Sequence, residues 1–134
     1  MGVEDQGWVA WFTIAAVEGK PITIYGDGKQ VRDVLYVEDL VEAYNAFIQS
    51  DIQHGVYNTG GGRRYTLSLL ELLSMLEEQT GKKCQVSFSD WRPSDQKVYI
   101  SNIEKLSKEL HWTPKTSPEE GVVRLIEWVK SCTL

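Results

Sequence analysis

The run Lys29-Gln30-Val31-Arg32-Asp33-Val34-Leu35-Tyr36-Val37-Glu38-Asp39-Leu40 constrains this chain more than any other stretch. It reads as a short strand passing directly into a helix, with Glu38 and Asp39 where acids suit the positive helix N-terminus. Arg32 is the anomaly. An arginine in an otherwise apolar strand is rarely buried without a partner. It is therefore either paired with a neighbour such as Asp33 or directed at something anionic.

The flanking sequence repeats the alternation of strand and helix. Trp8, Trp11, Phe12 and Ala15 recur at helical spacing and predict a helix over 6–18, stopped by Gly19-Lys20-Pro21. Residues 21–25 form a β-rich run, Gly26-Asp27-Gly28-Lys29 a turn, and residues 30–37 a second strand. Leu40, Val41, Tyr44, Phe47 and Ile48 mark the helix that follows. Val56-Tyr57-Asn58 reads as a short strand ahead of Gly60-Gly61-Gly62. Ser68 and Glu71 then form a capping box, with Leu67 and Leu72 placed as a hydrophobic staple. Residues 85–88 alternate like a strand, 90–96 form a polar loop, and 98–100 are extended. Asn102 is placed to cap a helix carrying Ile103, Leu106 and Leu110. Ser117-Pro118-Glu119-Glu120 opens the last helix. The expected class is α/β, in a mixed α+β arrangement.

Length and charge narrow the function. At 134 residues, 42% hydrophobic with five tryptophans, the chain suits one domain or part of one. A net charge of −5 disfavours sequence-independent nucleic-acid binding, although a few convergent arginines still suffice for one small anion. No apolar run is long enough to span a membrane. Cys84 and Cys132 lack metal-type spacing and read as reduced cytosolic thiols, which implies a cytoplasmic location and no metal.

Several patterns look catalytic and are not. Gly26 and Gly28 precede a strand, not a helix. Gly60-Gly61-Gly62 lies between strand and helix, but Tyr65 occupies the third glycine position of a dinucleotide fingerprint. Tyr25 and Lys29 have Tyr-x-x-x-Lys spacing but are separated by turn glycines, so no helix aligns them. No nucleophile elbow or P-loop is present, and no catalytic residue is assigned. The remaining candidates suit a nucleotide. Tyr25 offers an aromatic face for a base, or is simply a half-buried strand residue. Arg32 and Arg92 offer planar forks for phosphate, unless Arg92 is a solvated loop residue. Asp95 could accept ribose hydroxyls or stabilise the turn after Pro93.

Five motifs in order resemble the C-terminal part of the extended short-chain dehydrogenase/reductases, the NAD-dependent nucleotide-sugar epimerases and dehydratases. They are Ile22-Thr23-Ile24-Tyr25-Gly26-Asp27-Gly28, the run from Gln30 to Leu40, and Val56-Tyr57-Asn58-Thr59-Gly60-Gly61-Gly62. Arg92-Pro93-Ser94-Asp95-Gln96 and Leu110-His111-Trp112-Thr113-Pro114 complete the set, with His111 where the family usually has glycine. Within that group, the segment around Asp5-Gln6-Gly7-Trp8 looks closest to the CDP-paratose 2-epimerases (CDP-tyvelose epimerases).

The resemblance implies that Tyr25 stacks on the base, with Thr23 beside it giving backbone contacts. Arg32 and Arg92 would hold the diphosphate and Asp95 the ribose, with Gln6 and Trp8 near the sugar or diphosphate. The glycine run and Asp39 would be structural. It further implies a CDP-sugar partner and a role in lipopolysaccharide or other cell-surface polysaccharide synthesis. In the full-length enzyme, NAD would transiently oxidise a sugar carbon. The N-terminal Rossmann core with its cofactor site and helical Tyr-x-x-x-Lys has no counterpart here. The expectation is a nucleotide-sugar-binding domain over 1–134, a fragment inactive alone, that self-associates or meets a missing Rossmann domain through apolar surface around Trp8–Phe12. A stand-alone nucleotide-binding module, a non-catalytic remnant, and a dehydratase or decarboxylase are the alternatives.

Overall fold

The computed structural model describes residues 7–132. In chain order the elements are α1 (Trp8–Glu18), β1 (Ile22–Tyr25), β2 (Val31–Asp33), α2 (Val37–Gln49), β3 (Thr66–Ser68), α3 (Leu69–Thr80), β4 (Val86–Ser89), β5 (Val98–Tyr99), α4 (Glu104–Leu110) and α5 (Pro118–Cys132). The mixed α/β class expected from the alternation is the one observed. These elements fall into two compact units. One comprises residues through Gln30, Ser68–Lys97 and the segment from Glu119; the other comprises Val31–Leu67 and Val98–Pro118.

In the first unit, β1 and β4 run parallel, with Ile22 opposite Val86 and Tyr25 opposite Ser89. Two-residue periodicity sends Ile22 and Ile24 fully inward and leaves Thr23 and Tyr25 half-buried on the other face. A parallel pair needs a long crossover, and α3 lies within it. Its start is fixed by the expected capping box: Ser68 Oγ accepts from Glu71 N at 3.2 Å, and Glu71 Oε2 accepts from Ser68 N at 2.7 Å. Leu72 and Leu76 are fully buried, and α1 packs against α3 through its buried Phe12, Ala15 and Ala16. Helix α1 begins at Trp8 and ends on Gly19 in the left-handed conformation. Gln6 lies outside the described residues. Val122, Ile126 and Val129 form the buried stripe of α5.

In the second unit, β2 and β5 are parallel, with Arg32 opposite Tyr99, in a sheet of order β3-β2-β5. Ala43, Leu106, Leu110 and Trp112 make its core, with Leu35, Phe47 and Tyr57 packed on them. Asp39 is buried at the start of α2. Its Oδ2 accepts from the backbone N–H groups of Lys115 and Thr116 at 3.1 and 2.9 Å, and its carbonyl accepts from the Trp112 indole at 2.9 Å. One residue thus ties the Trp112–Thr116 tail to the first turn of α2, in keeping with its structural assignment. The expected Asn102 cap is displaced by one residue: Ile103 is the N-cap of α4 and has no side-chain cap, while Asn102 Oδ1 accepts from Glu104 N at 3.0 Å in an Asx turn just ahead of the helix.

Four further expectations need correction. The strand expected over 30–37 is confined to Val31–Asp33, because the Tyr36 carbonyl already accepts from Asp39 N and Leu40 N and so begins the helix. Val56–Asn58 is not a strand; Val56 is exposed, its carbonyl accepts from Lys105 Nζ, and no described strand pairs with it. The short β3 was hidden because Ser68 also serves as a helix cap. Finally, the large exposed apolar side chains are not those of Trp8–Phe12. Phe12 is buried, and Trp8 and Trp11 are half-buried in a helix that is apolar all round. Exposed large apolar side chains include Val37, Val41, Tyr44 and Ile48, one outward stripe of α2, together with residues elsewhere such as Val56, Phe88, Val98 and Trp128.

Candidate functional site

Parallel strands end on the same edge, so β1 and β4 deliver the loops after Tyr25 and Ser89 to one place. Crevices beyond the carboxyl ends of parallel strands are where α/β folds bind ligands. Here that edge brings Tyr25 and Arg92 into direct contact: Arg92 Cζ lies 4.0 Å from the centre of the Tyr25 ring, a cation–π stack.

The loop carrying Arg92 is held on both sides. Before it, Trp91 lies flat against Gly26, where a Cβ would come within 2.7 Å of the indole carbons; with Gly26 at φ 109°, only glycine suits this position. Gly26 N also donates to Ser89 O at 2.9 Å. After it, Arg92-Pro93-Ser94-Asp95 makes a reverse turn in which Asp95 N donates to Arg92 O at 3.2 Å. Proline second and a positive φ of 64° at Ser94 third are the marks of a type II turn. Asp95 is half-buried in that turn, while Arg92 is exposed.

Thr23 shares the outward face of β1 with Tyr25, and its Oγ1 lies 3.5 Å from Ser87 Oγ across the strand pair. Trp8 opens α1, edge-on to Phe12 with ring centres 6.2 Å apart. Arg32 belongs to the second unit, half-buried on β2, where its Nη1 donates to the Val31 carbonyl at 2.9 Å. Its neighbour Asp33 serves the glycine run: Asp33 Oδ2 accepts from Gly62 N at 3.2 Å.

That run is shaped by the chain itself. A Cβ at Gly60 would collide with the Asp33 carboxylate, and one at Gly61 with the Val34 carbonyl oxygen. The space left by the missing side chains is filled by protein atoms, so this loop does not fit a dinucleotide phosphate.

Sequence reasoning missed Gln30. It is buried, and its Nε2 donates to the Tyr25 carbonyl at 2.9 Å, steadying the end of β1. Nothing in its sequence context marks it, because only the folded turn brings it back to residue 25.

Perturbed titration occurs elsewhere among the side chains. Burial, then the neighbouring Glu109 carboxylate, raises the Tyr57 hydroxyl. The Cys84 N–H, then Lys83, hold the Glu77 carboxyl below its ordinary range, while burial and the Glu77 charge raise the Cys84 thiol. None of these is a candidate ligand residue. An open groove of about 380 Å³ in the second unit is lined by Asn58, Asn102, Glu104, Lys105 and Lys108, again none of them candidates. Among the described residues no cluster suited to a metal ion occurs, and no helix is long and apolar enough to cross a membrane.

Comparison with known proteins agrees with the motif resemblance. The family profile described as GDP-mannose 4,6 dehydratase matches residues 9–125. CDP-paratose 2-epimerase of Salmonella typhi is 40% identical over 134 residues, covering 95% of this chain and 40% of that protein. Among solved structures, UDP-glucose 4-epimerase of Thermotoga maritima with UDP-glucose superposes with a TM-score of 0.87 at 32% identity, covering 97% of this chain and 41% of that one. UDP-glucuronic acid 4-epimerase of Bacillus cereus, in complex with UDP-glucuronic acid and NAD, gives 0.82 at 30% identity, covering 90% and 38%. The chain thus spans about two fifths of the length of the relatives it matches. It belongs to the GDP-mannose 4,6-dehydratase family, within the extended short-chain dehydrogenase/reductase epimerases and dehydratases, and corresponds to their C-terminal portion.

Proposed function

We propose that this chain is the nucleotide-sugar-binding part of an NAD-dependent epimerase of the CDP-paratose 2-epimerase kind. The observation that carries the proposal is the meeting of Tyr25 and Arg92 at the carboxyl ends of β1 and β4. An aromatic face and a planar cation side by side suit a base joined to a diphosphate. Tyr25 stacks on the base with Thr23 beside it, Arg92 takes the diphosphate and Asp95 the ribose; the motif resemblance alone assigns Arg32, in the second unit, to the diphosphate as well. The motif resemblance assigns Gln6 and Trp8 to the sugar or diphosphate.

The 40% identity with a CDP-paratose 2-epimerase favours a CDP-sugar and a role in cell-surface polysaccharide synthesis. The solved relatives named with UDP-sugars favour uridine as the second reading. In the whole enzyme NAD supplies transient oxidation of a sugar carbon. This chain's own residues bind and orient the substrate, and no proton transfer is assigned to them.

The cofactor side falls to further polypeptide, and the exposed α2 stripe of Val37, Val41, Tyr44 and Ile48 is the surface such polypeptide, or a second copy, would cover. The free thiols of Cys84 and Cys132 favour a cytoplasmic setting. The test is a thermal-shift titration with CDP and UDP. One or both stabilise the wild type, and Arg32→Ala and Tyr25→Ala each remove the shift. Retention of the full shift in both variants would overturn the proposal.

A further inference from the structure

We propose that the free edge of β4 is a docking site for the same edge of a second copy of this chain, paired antiparallel about a twofold axis at Ser87. The proposal is independent of the nucleotide reading. Strand β4 has one neighbour. The Gln85 and Ser89 carbonyls accept from Ile22 N and Gly26 N at 2.8 and 2.9 Å, so residues 85, 87 and 89 turn their backbone groups toward β1. Val86 and Phe88 turn theirs the other way, and no described strand takes them up. Native edge strands are usually shielded by charge, proline or a covering element. Residues 85–89, Gln-Val-Ser-Phe-Ser, carry neither charge nor proline, and all but Val86 are exposed. The core-side face is bare at this edge as well: Phe88 is 60% exposed, although Ile24 beside it on β1 is fully buried. Unmet backbone groups next to an uncovered apolar side chain suit an added strand.

The occupant follows from the charges that bound the edge. It is basic at its start, Lys82-Lys83, and acidic at its end, Asp90. Antiparallel pairing with an identical edge brings the basic end of each copy to the acidic end of the other, whereas parallel pairing would set like on like. Lys83 is already paired with Glu77 at 3.2 Å, while Lys82 makes only a 3.5 Å contact with the Val17 carbonyl, so Lys82 is the cation available to Asp90 of the other copy. Hydrogen bonding selects the register. A pair centred on Val86 would need the Cys84 N–H, which Glu77 Oε1 already holds at 3.0 Å. A pair centred on Ser87 needs only the outward groups of Val86 and Phe88. Val86 of each copy then exchanges N–H···O bonds with Phe88 of the other. Each Phe88 ring also lies opposite Val86 of the other copy on the core-side face, an aromatic–β-branched pair that covers the bare edge. The contact is isologous and closes at two copies, because β4 has a single free edge.

Residue-resolved amide exchange, followed by NMR at about 50 µM and about 1 mM chain, tests the pairing. The Ser87 and Ser89 N–H groups, which face β1, are protected at both concentrations. Those of Val86 and Phe88 exchange freely when dilute and slow by about five-fold or more when concentrated. Phe88→Lys, which places a charge on the edge without removing a bond to β1, abolishes that slowing. Equal rates for Val86 and Phe88 at the two concentrations, or slowing that persists in Phe88→Lys, would overturn the proposal. Oxidative cross-linking reads the register without that variant. In a chain carrying Cys84→Ser and Cys132→Ser, Ser87→Cys sets two thiols face to face on the axis, at a non-hydrogen-bonded pair close enough for a disulfide, and a covalent dimer forms. Ser89→Cys, whose thiols are held about 13 Å apart along the paired strands, does not cross-link. Cross-linking of Ser89→Cys as readily as Ser87→Cys, or of neither, would equally overturn the proposal.

Discussion

Asp39→Ala should cost this chain far more stability than an acid at a helix start normally would. Asp39 occupies the third residue of α2, where a carboxylate facing the helix N-terminus is worth about 0.3–1 kcal/mol. Yet it is buried, and one of its oxygens accepts the backbone N–H groups of both Lys115 and Thr116. Hydrogen bonds to charged groups contribute about 1.5–3 kcal/mol each, and truncation leaves both donors without their acceptor. Relief of the buried carboxylate's own desolvation offsets part of this, so the expected loss is about 3 kcal/mol. Asp39→Asn keeps an oxygen at the same place with bonds roughly half as strong, for an expected loss of about 1–2 kcal/mol. Urea unfolding followed by tryptophan fluorescence measures both variants, and Trp112 lies in the affected core. A loss under about 1 kcal/mol for Asp39→Ala would mean that only the helix-terminus effect is present and that the strap carries no weight. An Asn variant worse than the Ala variant would equally refute the assignment.

Three further outcomes are expected. His111 ends α4 at φ 53°, the left-handed region, so His111→Gly should stabilise by about 0.5–1 kcal/mol in thermal unfolding, whereas His111→Ala should not. Glu77 has a depressed carboxyl pKa in the folded chain, so its contribution to stability is present above the ordinary carboxylate pKa and is lost as the pH falls below it, through the folded value. Urea midpoints at neutral and acid pH should therefore differ less in Glu77→Gln than in the wild type. The exposed apolar stripe of α2 should drive concentration-dependent self-association in sedimentation, and a Tyr44→Glu, Ile48→Glu double variant should reduce it.

Local chemistry was legible in the sequence; long-range placement was not. The Ser68–Glu71 capping box and the glycine stop after α1 both follow from contacts within a few residues. The family pattern pointed to glycine at 111, and the left-handed backbone there shows why. Asp39 reads as a helix start, but its partners lie more than seventy residues away, and no local pattern announces them. Tyr25 and Arg92 were each legible as ligand groups. Their contact depends on the parallel register of β1 and β4, which apolar alternation alone does not specify. Val56-Tyr57-Asn58 has strand composition but lacks a partner strand among the described residues, and strand propensity expresses itself only through pairing. The glycine run looked like a cofactor loop because sequence cannot show whether a missing side chain makes room for a ligand or for the chain's own carbonyls.

The most direct test of the central claim is calorimetric titration of this chain with CDP, UDP and NAD under the same conditions. The account predicts saturable one-site binding of CDP or UDP, abolished by Tyr25→Ala, with no binding of NAD. Tight binding of NAD with no response to either diphosphate would contradict it.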